Sequence, residues 1–259
     1  MIFRKFYFLF AFIVFLASCN IQSNKILKGN DIEAKLKIAD KYYAKKKYDK
    51  CIPIYEEALT ILKGQKNVDE IYYKYANCYY QNGSYELAAF YLRSFYNTYP
   101  SNPYAETAGF SEAMCYLKQS PRYSLEQVNT QKAIDVFQAF VDRYPKSEKV
   151  ADANTKIDEL RSKLRKKAYE NAYLYYKIGE YHAAAVSFDN FLKDFPEYEN
   201  PERIAYLSVK ALKKFADGSY KDKKEERYKD DQSHFEAFKQ KYPNSKYLAE
   251  LEKMHKKKK

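Results

Sequence analysis

Apolar and polar positions alternate along this chain with the period of an α-helix almost from end to end. Stripes such as Ala133, Val136, Phe137 and Phe140, or Ala184, Phe188 and Phe191, recur every three or four residues, which gathers them on one helix face. Two kinds of punctuation interrupt the stripes. An aromatic residue followed by proline closes them at Tyr99-Pro100, Tyr144-Pro145, Phe195-Pro196 and Tyr242-Pro243. Proline cannot continue a helix, so each pair ends one element and opens the next. A short turn followed by tyrosine, then a small residue three positions on, stands at Lys47-Tyr48-x-x-Cys51, Gly83-Ser84-Tyr85-x-x-Ala88 and Gly179-Glu180-Tyr181-x-x-Ala184. These marks are the bends between antiparallel helices. Read in order they give helix, turn, helix, proline, over and over, and predict an all-α chain of stacked hairpins.

This pattern resembles the tetratricopeptide repeat. In the second unit the matching positions are Tyr72, Tyr75, Ala76, Tyr79, Tyr85, Ala88, Leu92, Phe95 and Pro100. The first unit matches through Ile38, Ala39, Tyr42, Tyr48, Cys51, Tyr55 and Ala58 but ends at Gly64 without a proline. The fourth matches through Ala172, Tyr175, Tyr181, Ala184, Phe188, Phe191 and Pro196. The third and fifth are irregular, and the closing prolines at 100, 145, 196 and 243 are spaced more widely than a repeat of about 34 residues. The extra residues fall at Ser120 to Gln127, read as an ordered loop, and at Ala151 to Lys167, where helix formers run unbroken into the fourth unit and predict one helix of ~30 residues. A third insertion, Asp217 to Tyr228, is charged and reads as loosely held. The resemblance implies a right-handed superhelix of about five helix-turn-helix units, with helices closest at Ala39, Ala76, Ala113 and Ala172.

Composition agrees with helices and narrows the compartment. Glycine and proline are scarce at 6 and 8 residues, whereas Tyr (29) and Phe (17) are abundant, so glycine-bearing hairpins are few and large rings fill the core. At the start, Arg4 and Lys5 precede an unbroken apolar run from Phe6 to Leu16. Eleven helical residues rise only ~16 Å, too short to cross a bilayer, which is the mark of a signal peptide over residues 1–18. The run ends Leu16-Ala17-Ser18-Cys19, which resembles a bacterial lipobox. That resemblance implies cleavage before Cys19 and lipidation of its thiol, followed by a short linker to residue 30, with the mature chain tethered to the outer membrane on its periplasmic face. Cys51, Cys78 and Cys115 lie inside apolar stripes and read as small buried hydrophobes.

Catalytic chemistry is not indicated. Gly109-Phe110-Ser111-Glu112-Ala113 ends in alanine where a nucleophile elbow needs glycine, and neither a phosphate loop nor a His-Glu-x-x-His motif occurs. His182, His234 and His255 read as isolated, solvated residues, so no metal and no cofactor is called for. The charge balance is basic, 46 Lys plus Arg against 34 Asp plus Glu, with runs at Arg161 to Lys167 and Lys256 to Lys259. Nucleic acid is set aside as a partner because the chain is exported; a solvated helix face, or attraction to acidic lipid head groups or to an acidic partner domain, remains.

The aromatic excess is more informative. A second stripe lies beside the core stripe: Leu36, Asp40 and Tyr43 in the first unit, Tyr73, Asn77 and Tyr80 in the second, Tyr169, Tyr173 and Tyr176 in the fourth. In tetratricopeptide folds this stripe faces the concave groove, where tyrosine gives contact area at low entropic cost. The alternative is that these rings pack against the neighbouring repeat and line nothing. Lipobox, irregular repeats, the loop at 120–127 and the ending Tyr-Pro-Asn-Ser-Lys-Tyr at 242–247 together resemble the BamD family of outer-membrane assembly lipoproteins. The resemblance implies a non-enzymatic scaffold with two parts. Units one to three, residues 31–147, would receive unfolded outer-membrane barrel precursors along Leu36, Tyr43, Tyr73, Asn77, Tyr80 and Phe110. Residues 148–259 would dock onto the periplasmic domains of BamA. A different envelope lipoprotein of the same repeat type, coordinating cell-wall synthesis or nutrient uptake, is the competing reading.

Overall fold

The computed structural model describes residues 25–256; the leader, Cys19 and the last three lysines lie outside it. Eleven helices of eight or more residues follow one another among the described residues: α1 Ile32–Ala44, α2 Tyr48–Ile61, α3 Val68–Gln81, α4 Tyr85–Thr98, α5 Ala105–Gln119, α6 Val128–Arg143, α7 Val150–Ile178, α8 Tyr181–Asp194, α9 Pro201–Asp217, α10 Lys221–Lys241 and α11 Leu248–His255. Within the first unit each helix from α1 to α5 packs on the next in sequence, and within the second unit α8 packs on α9 and α9 on α10, as stacked hairpins of the tetratricopeptide type require. The chain divides into two compact units, Met1–Pro121 with Val128–Ile157, and Arg122–Gln127 with Asp158–Lys259.

Local chemistry sets the helix ends. Asp31 accepts a bond from the Ala34 amide at 3.0 Å and starts α1, and Asn200 does the same for Arg203 at α9, where Pro201 takes the first helical position. The three matched hairpin turns share one backbone device. Two residues before the tyrosine that opens each second helix, φ is positive: 55° at Lys46, 80° at Gly83 and 89° at Gly179. Glycine reaches this left-handed region freely, whereas Lys46 does so against its Cβ.

In the first unit the crossing alanines Ala39, Ala76 and Ala113 are fully buried, as are the large rings Tyr55, Phe95 and Phe137. Gly109 extends the close approach of α5 and α6: a Cβ there would meet Tyr144 at 3.4 Å and Phe140 at 3.5 Å. One carboxylate lies within this apolar layer. Glu112 is fully buried and accepts from Arg93 at 2.6 and 2.7 Å and from the Tyr96 hydroxyl at 2.7 Å, so the charge is compensated where water cannot reach it. The three cysteines are buried, unpaired thiols. Burial pushes Cys51 up to about 11 and Cys115 up to about 12 and raises Cys78 as well.

In the second unit Ala172, Ala184, Phe188, Phe191, Ile204, Ala211, Phe235 and Leu251 form one core. The loop at 120–127 is ordered. Gln127, itself buried, donates to the carbonyls of Arg122 and Leu125; Lys167 of α7 binds the Leu125 carbonyl at 2.8 Å and Lys166 lies over the Tyr123 ring. The run at Ala151 to Lys167 belongs to a 29-residue helix, as its unbroken helix formers predict.

Three expectations need correction. Residues 221–228 are not loosely held; they extend α10 by two turns beyond a tight bend at Gly218–Tyr220, because a charged stretch without proline or glycine can lengthen a helix on its solvent side. Tyr175, a matched repeat position of the fourth unit, is 41% exposed and lies outside the core. His255 is not solvated; its side chain is 5% exposed and pairs with Asp231.

The Glu112 cluster generates a direct stability test. Glu112→Ala strands the Tyr96 hydroxyl and removes the anion that Arg93 neutralises. Because Arg93 is half exposed and rehydrates, the loss should be about 2 kcal/mol, below the ~3–5 kcal/mol of a fully buried broken pair. The urea midpoint followed by circular dichroism measures it.

Candidate functional site

The first helices of the first three hairpins, α1, α3 and α5, carry the candidate residues in one register. Counting from the buried crossing alanine of each helix, the positions three before, one after and four after are Leu36, Asp40 and Tyr43; Tyr73, Asn77 and Tyr80; Phe110, Met114 and Leu117. Equivalent positions on stacked helices form a ribbon along one face of the repeat array. All six predicted residues lie in the first unit and are half-buried. They therefore expose part of each side chain while the rest packs.

The packing of each is specific. Leu36 rests on the cluster of Ile38, Ala39, Cys51 and Tyr55. The Asn77 amide donates to the Tyr43 hydroxyl across α3 and α1, while its carbonyl oxygen accepts weakly from Gln81 at 3.5 Å. Burial raises the Tyr43 hydroxyl above the usual phenol range, and the Asn77 bond offsets part of that rise. Since Asn77 donates, the Tyr43 hydroxyl keeps its own proton for an outside acceptor. Tyr73 lies flat on Tyr104, with ring centroids 4.4 Å apart and planes 4° from parallel, and leans on Phe95 at 5.4 Å. Burial, with smaller contributions from Tyr43 and Tyr104, pushes its hydroxyl up to about 12. Tyr80 meets Tyr85 edge-on at 5.9 Å, and burial raises its hydroxyl too. Phe110 packs on Phe137 and Phe140 of α6.

The structure thus joins Tyr43 to Asn77 directly, seats Tyr73 and Tyr80 on the same helix face, and keeps Leu36 and Phe110 at the two ends of the ribbon, each held by its own hairpin. Asp40, in the same register, is committed elsewhere: it accepts from Tyr55 at 3.0 Å and from Lys74 at 2.9 Å. Lys74 is shared with Glu70, so the centre of the ribbon holds no spare cation for a terminal carboxylate. Its surface combines apolar side chains with phenol hydroxyls at Tyr43, Tyr73 and Tyr80 that can serve a peptide backbone.

Sequence reasoning missed three members. Met114 and Leu117 complete the register on α5 and could have been found by carrying the alanine offset from Ala76 to Ala113. Tyr104 could not, because it stands in the turn before α5, outside any stripe; it is 45% exposed and shows its outer face beside Tyr73. Among the described residues no group of three His, Cys, Asp or Glu could hold a metal ion, and no helix is long and apolar enough to cross a membrane.

Comparison with known proteins bears on residues 30–259. Residues 30–172 and 164–259 match the model of the YfiO family, described as outer membrane lipoprotein. A 90-residue stretch is 34% identical to the outer membrane protein assembly factor BamD of Caulobacter vibrioides, covering 35% of this chain and 30% of that one. A 172-residue stretch is 25% identical to a chain named provisionally as BamD in Aquifex aeolicus, covering 66% of this chain and 56% of the relative. The matches therefore span between about a third and somewhat over half of those relatives' lengths. Among solved structures, the TPR2AB-domain:pHSP90-complex of yeast Sti1 is similar at 15% identity, with a TM-score of 0.39 over 86% of this chain and 96% of that one. With the family model matching both compact units, the chain belongs to the YfiO family of outer membrane lipoproteins.

Proposed function

We propose that this protein is a lipid-anchored, non-enzymatic scaffold for assembling outer-membrane β-barrels. In this reading the first unit receives extended segments of unfolded barrel precursors, the second unit docks onto periplasmic domains of BamA, and the lipid on Cys19 keeps both at the periplasmic face of the outer membrane. The family supplies the outer-membrane lipoprotein context, and relatives named BamD supply the assembly role. The observation that carries the reading is the ribbon of half-buried aromatic residues repeated in register on α1, α3 and α5. Such a surface suits a strand-forming segment rich in aromatic and apolar side chains: rings offer flat contact, and hydroxyls pair with its unsatisfied backbone groups.

The anchor is tested by Cys19→Ser. The variant should move to the soluble periplasmic fraction, and its retention in membranes through a carbonate wash would contradict lipid tethering. The ribbon is tested by changing Tyr73 and Tyr80 together to Ala, which removes two amphipathic rings while leaving the buried alanines and Asn77 in place. Binding of a peptide from the C-terminal strand of a barrel protein should weaken about tenfold or more, read by fluorescence anisotropy, with the helical circular dichroism signal preserved. Unchanged affinity would reduce those rings to packing. Docking is tested by affinity purification from envelopes dissolved in mild detergent: BamA should appear in the eluate, whereas a cell-wall synthase or a glycan transporter in its place would favour the competing envelope role.

A further inference from the structure

The last described helix, α11, is only eight residues long, too short to persist on intrinsic propensity. Tertiary contacts hold it, four of them from side chains spread along its length. Leu251 is fully buried, Tyr247 stacks on Tyr206 at 4.4 Å, Glu250 pairs with Lys210 at 2.7 Å, and His255 pairs with Asp231 of α10.

The last of these differs from the others because its geometry fixes a protonation state. His255 Nδ1 lies 2.7 Å from the Leu251 carbonyl oxygen, and Nε2 lies 3.0 Å from Asp231 Oδ1. The carbonyl oxygen only accepts, and so does Asp231 as a carboxylate; opposite these two acceptors both ring nitrogens donate, and a ring with two N–H groups is the imidazolium. A neutral ring would set one lone pair against an oxygen. The side chains are 5% and 2% exposed, so little water reaches them to relieve that clash. The ring also lies on Phe235, with centroids 4.2 Å apart and planes 8° from parallel, an arrangement that favours a cation.

We propose that His255 and Asp231 form a proton-operated latch, which holds α11 on the final hairpin while the imidazole is charged and loosens it when that proton leaves. The surrounding charges set the balance. From α9, Lys213 faces the pair but is itself bound to Asp217. From α10, Lys221, Lys224, Glu225 and Tyr228 line the cleft of about 990 Å³ above it, joined by Lys253 of α11 and Lys256 just past its end. Burial, and more weakly Lys213, favours the neutral ring; the bonds to Asp231 and Leu251 outweigh them, and the His255 pKa is raised above its ordinary value. A raised folded-state pKa means that the latch contributes fully below the unfolded-state value and is lost as pH climbs through the folded-state value. Loosening would carry Lys253 and Lys256 away from the cleft, so the lysine-lined surface at this end would change with pH.

The test uses the full chain with labelled histidine, the His255 resonance being assigned by its loss in His255→Gln. It should titrate above the ordinary histidine range. Over the same interval, hydrogen-exchange protection of α11, corrected for intrinsic rates, should fall several-fold while protection of α8 holds. In Asp231→Asn the carboxamide can donate to a neutral Nε2, so the titration should drop and α11 protection should lose its pH dependence; His255→Gln should lose that dependence too. A His255 titration at or below the ordinary value, or α11 protection that stays level through it, would overturn the proposal.

Discussion

The structure rests on how closely two helix backbones may approach. At Ala39, Ala76, Ala113 and Ala172 the side chain is a methyl group with no exposed surface, which leaves room for larger rings on the flanking positions. The rings are therefore sorted: those on the crossing side, such as Tyr55 and Phe95, become fully buried, and those about a third of a turn away become half-buried and remain within reach of a ligand. One steric constraint, repeated, builds both the core and the ribbon. It also explains why the candidate residues share an offset from alanine and no common residue type.

Charged groups enter this packing only where they are matched. Glu112 sits among apolar side chains because Arg93 and Tyr96 meet it from the neighbouring helix, and Lys35, buried on α1, reaches Glu57 at 2.7 Å. Each such pair joins helices that the apolar layer already brings together, adding direction to a contact that burial alone leaves free to slide. The second unit uses the same device at its edges, with Lys167 holding the 120–127 loop by its Leu125 carbonyl and Arg203 reaching the Tyr169 hydroxyl.

Much of this was legible in the residues, and for a physical reason. Helical periodicity, proline punctuation and positive-φ turns are local, so the hairpins and the 29-residue helix could be read from sequence within a few positions. The candidate ribbon was legible in its register but not in its partners. Nothing local to Tyr73 reveals that Tyr104, on a turn 31 residues further on, will lie flat against it. Long-range pairings escaped in the same way. His255 looked solvated because its sequence neighbours are lysines, whereas its environment is made by Asp231 and Phe235 of another helix. The charged stretch at 221–228 looked loose because charge marks solvent exposure, which a helix face satisfies as well as a loop does.

The three buried thiols have a consequence for how such a chain is made. An exported protein meets oxidants while still extended, and thiol exchange proceeds through the thiolate. In the folded chain Cys51, Cys78 and Cys115 have no exposed surface and are held protonated by their surroundings, so closure of the first unit is what withdraws them from wrong cross-links. Folding of the first unit thereby takes all three sulfhydryls out of reach of exchange partners at once.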